Sequence, residues 1–250
     1  MFSKFKQRSY ELEHIDTGNY TAEEYEGCIL ELQRVNRWLG DAAILRDILL
    51  RETASENVQS FSLLDVGAGS GELLRVAANW AREKRIQLRG VGLELNARSA
   101  EAILQESGSD ITSVRGDAMK LPFASGQFDY VICSLFTHHF VEQQIIEILR
   151  EMSRVARRKI FVIDLHRHPV AYFLYTTLGK VFLHTRLLRE DGALSILRSF
   201  KPDELSDLGQ HAELKNISVT RHFPFRLVLS ATAASAGTYK ATDVRTDKAA

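Results

Sequence analysis

With 250 residues, of which 45% are hydrophobic and 26% charged, the chain carries enough apolar material for one substantial core. Its 32 Lys and Arg balance 32 Asp and Glu, so the formal net charge is zero, and no global basic field exists to hold the phosphates of a nucleic acid. Cys28 and Cys133 are too few for a disulfide framework or a structural zinc site, Lys4, Lys6 and Arg8 precede no apolar leader, and the most apolar stretch, 169–179, falls well short of the ~20 residues that span a bilayer; a cytoplasmic protein without a membrane span is expected.

In chain order, Thr21 and Glu24 form a capping box, after which Tyr25, Cys28, Leu32, Val35 and Leu39 recur at helical spacing up to Gly40. A second helix is predicted over 41–52. Residues 1–55 therefore read as an N-terminal helical cap. From Phe61 the pattern changes to short apolar runs separated by helical periods, which is the signature of repeated βα units and a parallel sheet. Strands are predicted near 61–66, 89–94, 112–115, 128–134, 159–164, 215–222 and 225–231, within a main unit spanning 56–234. Between Val141 and Arg157, Ile145, Ile148, Leu149, Met152 and Val155 share one helical face. Residues 169–188 read as one long apolar helix, followed by a segment at 191–200 and a helix beginning near Pro202. The last two strands are too close for a crossover and must form an antiparallel hairpin. Residues 235–250, small and polar, read as a flexible tail.

The segment from Leu63 to Leu73 is a strand running into a glycine-rich turn and then a helix. Gly67, Gly69 and Gly71 let the chain turn sharply and let a ligand approach main-chain amides closely. A dinucleotide fingerprint would require a glycine where Glu72 stands, which weakens an NAD reading. The next strand ends at Glu94, an acid placed to accept the hydroxyls of a ribose, as in many nucleotide-binding folds. The third ends in the run Arg115-Gly116-Asp117-Ala118-Met119-Lys120-Leu121-Pro122-Phe123.

The spacing from Asp65 through Gly71 resembles the first motif of class I S-adenosylmethionine-dependent methyltransferases, and the turn at Asp117 and Ala118 resembles their adenine-binding turn. The resemblance implies a Rossmann-like α/β fold with a seven-stranded sheet in the order 3-2-1-4-5-7-6, the last strand antiparallel. It implies S-adenosylmethionine as cofactor and S-adenosylhomocysteine as product. Cofactor contacts are expected from Asp65, Gly67, Ala68, Gly69, Gly71, Glu94, Leu95, Asp117 and Ala118, and from Ser134 and Leu135 at the end of the fourth strand. Residues 168–212 would roof the acceptor site. Short segments at 20–25, 34–39, 168–172 and 199–202 are similar to bacterial small-molecule methyltransferases, some associated with type III polyketide synthases.

Methyl transfer needs an aligned nucleophile and, for a hydroxyl, a group to take its proton; no metal is required. The Asn/Asp-Pro-Pro-Tyr/Phe signature of amide and adenine methyltransferases is absent at 134–137. His138 and His139 follow the fourth strand, where the methyl is transferred in this fold, and are the candidate catalytic base. Asp164, His166 and His168 have formally metal-like spacing, for which a hydrogen-bonding loop is the simpler reading. The expected partner is a small, apolar and aromatic acceptor, phenolic or polyketide-like, bound by a monomer or homodimer between the N-terminal helices and 169–200. A quinone-type C-methyltransferase and a non-catalytic cofactor-binding module are the alternatives.

Overall fold

The computed structural model describes residues 2–54 and 58–234; the expected tail at 235–250 lies outside the described residues. Three helices precede the sheet: α1 (His14–Thr17), α2 (Ala22–Trp38) and α3 (Asp41–Ala54). Strands and helices then alternate as β1 (Ser60–Val66), α4 (Glu72–Lys84), β2 (Gln87–Glu94), α5 (Ala97–Glu106), β3 (Ile111–Arg115), β4 (Phe128–Ser134), α6 (Glu142–Val155) and β5 (Ala156–Leu165). The chain closes with α7 (Pro169–Phe182), α8 (Arg186–Arg198), α9 (Pro202–His211), β6 (Lys215–His222) and β7 (Arg226–Thr232).

The sheet order is β3-β2-β1-β4-β5-β7-β6. β1 to β5 pair in parallel, and β7 runs antiparallel to both β5 and β6, as the short hairpin connection requires. The central strands are apolar on both sides because helices cover both faces. Alternate residues go to opposite layers: Leu64, Val66, Val131 and Cys133 pack with α6 and α9, whereas Leu63, Tyr130 and Ile132 pack with α3 and α4. The strand order reverses between β1 and β4, which opens a crevice at their carboxyl ends.

Capping chemistry sets several of the helix starts. Asn96 accepts from the amides of Arg98 and Ser99 to begin α5, and Pro202 occupies the first turn of α9. The long helix expected over 169–188 is broken in two. Glu31, on α2, accepts from the amides of His184 (2.7 Å) and Thr185 (2.9 Å) and from the Thr185 hydroxyl (2.7 Å). A remote carboxylate thus satisfies the amides just ahead of α8, and the chain turns at Leu183 where local propensity would have continued the helix. Burial opposes the charge of Glu31, but these hydrogen bonds outweigh it and hold its pKa down at about 2.

The N-terminal helices are fixed to the main unit at two places. Arg226 on β7 donates through Nε (2.7 Å) and Nη2 (3.2 Å) to the two carboxylate oxygens of Asp41, a buried bidentate pair. Cys28 on α2 packs against Leu183, Leu187 and Leu188, with Tyr20, Leu32, Val35 and Tyr175 around them. The cap thus meets the inner side of 169–198 through apolar packing. The outer side of α7, including Phe173, is exposed.

Candidate active site

At the end of β1 the backbone turns through Gly67 (φ 70°), Gly69 (φ 56°) and Gly71 (φ 80°), left-handed conformations that side chains disfavour. A Cβ on Gly67 would lie 2.3 Å from the Phe136 ring, whereas one on Gly69 would meet nothing within 4 Å. One side of the turn is closed by an aromatic ring and the other is open. The amides of Gly67 and Ala68 donate to the Leu93 carbonyl, fixing the turn against β2. Glu94 accepts from the amides of Gly69 (2.7 Å) and Leu95 (3.1 Å), so its carboxylate stands beside the open glycine. Burial raises its pKa although those bonds oppose the shift.

Asp65 is wholly buried at the end of β1, and its Oδ1 has no hydrogen-bond partner among the described residues. Burial, with the charge of Glu94 adding to it, pushes its pKa up to about 8. Ser134 Oγ at the end of β4 is likewise buried and unpartnered, and Leu135 beside it adopts φ 50°. Asp117 accepts from the Met119 amide (2.9 Å), Ala118 is buried, and Leu95 is exposed. An orphaned acid, an orphaned hydroxyl, an open glycine turn and a poised carboxylate together suit a ligand with a cationic end and vicinal hydroxyls.

Thr137 and His138, in the turn after β4, and Asp164 on β5 make a second constellation at the same carboxyl ends of the sheet. His138 Nδ1 lies 2.7 Å from Asp164 Oδ1, and Asp164 Oδ2 accepts from Thr137 Oγ1 (2.6 Å) and the His138 amide (3.2 Å). A carboxylate can only accept, so Nδ1 carries the hydrogen and Nε2 is left as the reactive nitrogen. Both side chains are buried. Burial alone would raise the Asp164 pKa; the charge and hydrogen bond of His138, with those from Thr137 and the Leu165 amide, bring it instead to about 2.

His139 stands beside this pair, its ring centroid 4.3 Å from that of His138. Its Nδ1 lies 3.8 Å from Glu13 Oε2 and 3.7 Å from Asp16 Oδ1. Glu13, His138 and His139 offer donor atoms within 4.8 Å of one another. Arg198 Nε is 4.0 Å from Glu13 Oε1, which also accepts from Ser195 Oγ (2.7 Å), so a guanidinium already supplies positive charge on that side. Asp164, His166 and His168 do not converge. Asp164 turns to His138, while His168 accepts from the Val170 amide through Nδ1 and stacks on Phe225. Burial, reinforced by His168, Arg221 and Arg167, lowers the His166 pKa to about 4.

The profile of the methyltransferase domain family matches residues 64–163, which span the glycine turn, Glu94, Asp117, His138 and the end of β5. A demethylmenaquinone methyltransferase of Bacillus licheniformis is 28% identical over 183 residues, covering 68% of this chain and 75% of that protein. The chain is a class I S-adenosylmethionine-dependent methyltransferase. Solved structures share the fold: a SAM-dependent methyltransferase from Aquifex aeolicus has a TM-score of 0.55 at 12% identity, covering 80% of this chain and 97% of that one. Magnesium protoporphyrin IX methyltransferase from Synechocystis, with bound S-adenosylhomocysteine, has a TM-score of 0.54 at 15% identity, covering 78% and 84%.

The methyltransferase also uses residues that the sequence pattern does not single out. Arg8 donates to the carbonyls of Arg198 (2.7 Å), His138 (3.3 Å) and Phe140 (3.1 Å). Arg198 donates to His138 O (3.2 Å), His139 O (2.6 Å) and Glu11 O (2.5 Å). Two buried guanidiniums thus clamp the loop that carries both histidines. Glu13 arrives from the N-terminal segment, far from the family motifs in sequence, and no local spacing betrays it.

Proposed function

We propose that the methyltransferase transfers a methyl group to the hydroxyl of a small, apolar, phenolic or polyketide-like acceptor, with His138 taking the proton. The carrying observation is the buried His138–Asp164 pair beside the glycine turn. When bound, S-adenosylmethionine supplies a methyl group already activated on a sulfonium centre. Gly67, Ala68, Gly69, Gly71 and Asp65 are assigned to its amino-acid end, Glu94 and Leu95 to the ribose, and Asp117 with Ala118 to the adenine. Ser134 and Leu135 border the methionine portion.

Asp164 holds the imidazole in one tautomer, and Thr137 holds Asp164. Nε2 then accepts the phenolic proton, and the carboxylate stabilises the imidazolium that results. Glu13, Asp16 and His139 lie on the outer side of this pair and offer a polar route for that proton toward solvent. The resemblance to a demethylmenaquinone methyltransferase favours a second reading, methylation of a ring carbon in a quinone-type acceptor. Both begin with loss of an aromatic hydroxyl proton, so they differ in product and share the base.

His138→Ala is expected to lower kcat on phenolic acceptors by about a hundredfold or more while leaving cofactor affinity within about twofold. Near-normal turnover would withdraw the base assignment. Mass spectrometric location of the methyl group on oxygen or carbon separates the two acceptor readings.

A further inference from the structure

We propose that α7 docks the methyltransferase onto an anionic lipid surface, lying in the plane of the interface beside the mouth of the acceptor site. Val170, Phe173, Leu174, Leu178, Val181 and Phe182 are all exposed along one side of this helix, Phe173 by 60%, Phe182 by 68% and Val181 by 70%. They recur at i, i+3, i+4, i+8, i+11 and i+12, which is one continuous strip along a helix of about 21 Å. Water-facing helices of globular proteins carry charge on that side, whereas α7 carries Lys180 alone. At 14 residues it is too short to span a bilayer, and no described helix is long and apolar enough to do so. An apolar face of this length edged by cations is the pattern of a helix that lies on a membrane.

Charge identifies the partner. No Asp or Glu occurs from Leu165 to Arg189, nor among the first ten residues of the chain. The N-terminal turn lies against α7: Phe5 meets Tyr172 edge to face at 5.6 Å, and Lys4 Nζ sits 3.5 Å from the Tyr172 ring centroid. Lys4 and Lys6 are exposed there, and Lys180 is exposed farther along the helix. The acids that bound this stretch in sequence are already engaged, Asp164 with His138 and Glu190 with His14 and Arg186. Two copies of the chain meeting through α7 would oppose these lysines to one another; phospholipid headgroups would neutralise them. The helix starts five residues after Asp164, with Tyr172 and His168 packed against Phe5 and Phe225 at the rim. Docking in this orientation brings the site's rim to the lipid, where an apolar acceptor is concentrated.

The test is sedimentation of the full chain with large unilamellar vesicles of phosphatidylcholine, with and without phosphatidylglycerol. The wild type is expected to pellet with the anionic vesicles, and to bind them less in high salt and less still when phosphatidylglycerol is omitted. Phe173→Asp combined with Phe182→Asp should weaken partitioning by about a hundredfold or more, since two buried phenyl groups are lost. Lys180→Glu should weaken it roughly fivefold or more. All three positions are exposed, so unchanged S-adenosylmethionine affinity certifies the fold, and the assay needs no acceptor; it can fail while the His138 assignment stands. Wild type left in the supernatant, or a double variant that pellets as well as the wild type, overturns the proposal. So does a light-scattering mass of a dimer that the double variant abolishes, because the face would then be covered by a second copy.

Discussion

Asp65 stands at the end of β1 with one oxygen that has no partner among the described residues, and burial followed by the charge of Glu94 holds its pKa at about 8. An acid whose folded pKa lies above its unfolded value destabilises the fold as pH rises between the two, because the unfolded chain ionises first. Unliganded stability should therefore decline from about pH 4 to about pH 8 through this group, and Asp65→Asn should flatten that slope. An ammonium bound at the orphaned oxygen would reverse the preference and ionise the acid. S-adenosylmethionine binding near pH 7 is expected to release up to about one proton, which calorimetry in buffers of different ionisation enthalpy measures. No release, or equal release from Asp65→Asn, would detach Asp65 from the cofactor. The same residues show what a sequence reveals and what it hides. Asp65, the three glycines, Glu94 and Asp117 were legible because strand ends impose local spacing on them. His138 could not be ranked over His139, because the distinction is made by Asp164, 26 residues away, and by the direction of one ring.

At the scale of elements, most boundaries follow local pattern, and the exceptions have tertiary causes. α6 and the five parallel strands fall close to where periodicity puts them, since each buries the face that its own sequence makes apolar. The split between α7 and α8 does not, because Glu31 of α2 imposes it. The N-terminal segment is likewise held by distant groups: Asp191 on α8 accepts from the amides of His14 (2.8 Å) and Ile15 (3.1 Å), and Ser195 from the same helix holds Glu13. Asp191→Ala removes both acceptors, at about 1–3 kcal/mol for each amide left unsatisfied. The expected outcome is faster hydrogen exchange confined to the N-terminal segment, with kcat lowered more than cofactor affinity. Exchange unchanged there would mean that Arg8 and Arg198 suffice to hold the segment.

At the scale of the whole molecule, the proposed function divides the methyltransferase into a cofactor half assembled from β1 to β4 and an acceptor half assembled from β5, the roof and the N-terminal cap. The Asp41–Arg226 pair joins the cap to β7, and removing one partner leaves a buried charge alone. Asp41→Ala is expected to cost roughly 3–5 kcal/mol of stability, read as the shift in a urea midpoint. A formal net charge of zero conceals an uneven surface, because acids are missing from the stretch that contains α7 while Glu13, Asp164 and Asp191 are buried. That arrangement suits an apolar acceptor that loses its proton to His138. The pH dependence of methyl transfer to a phenol, measured under cofactor saturation in the wild type and in His138→Ala, tests this most directly. The wild type should keep its rate at pH values where the phenol is still protonated, and the variant should lose it, its slow turnover increasing with pH as the phenol itself ionises. A variant that keeps the wild-type profile and rate would contradict the assignment of His138 as the base.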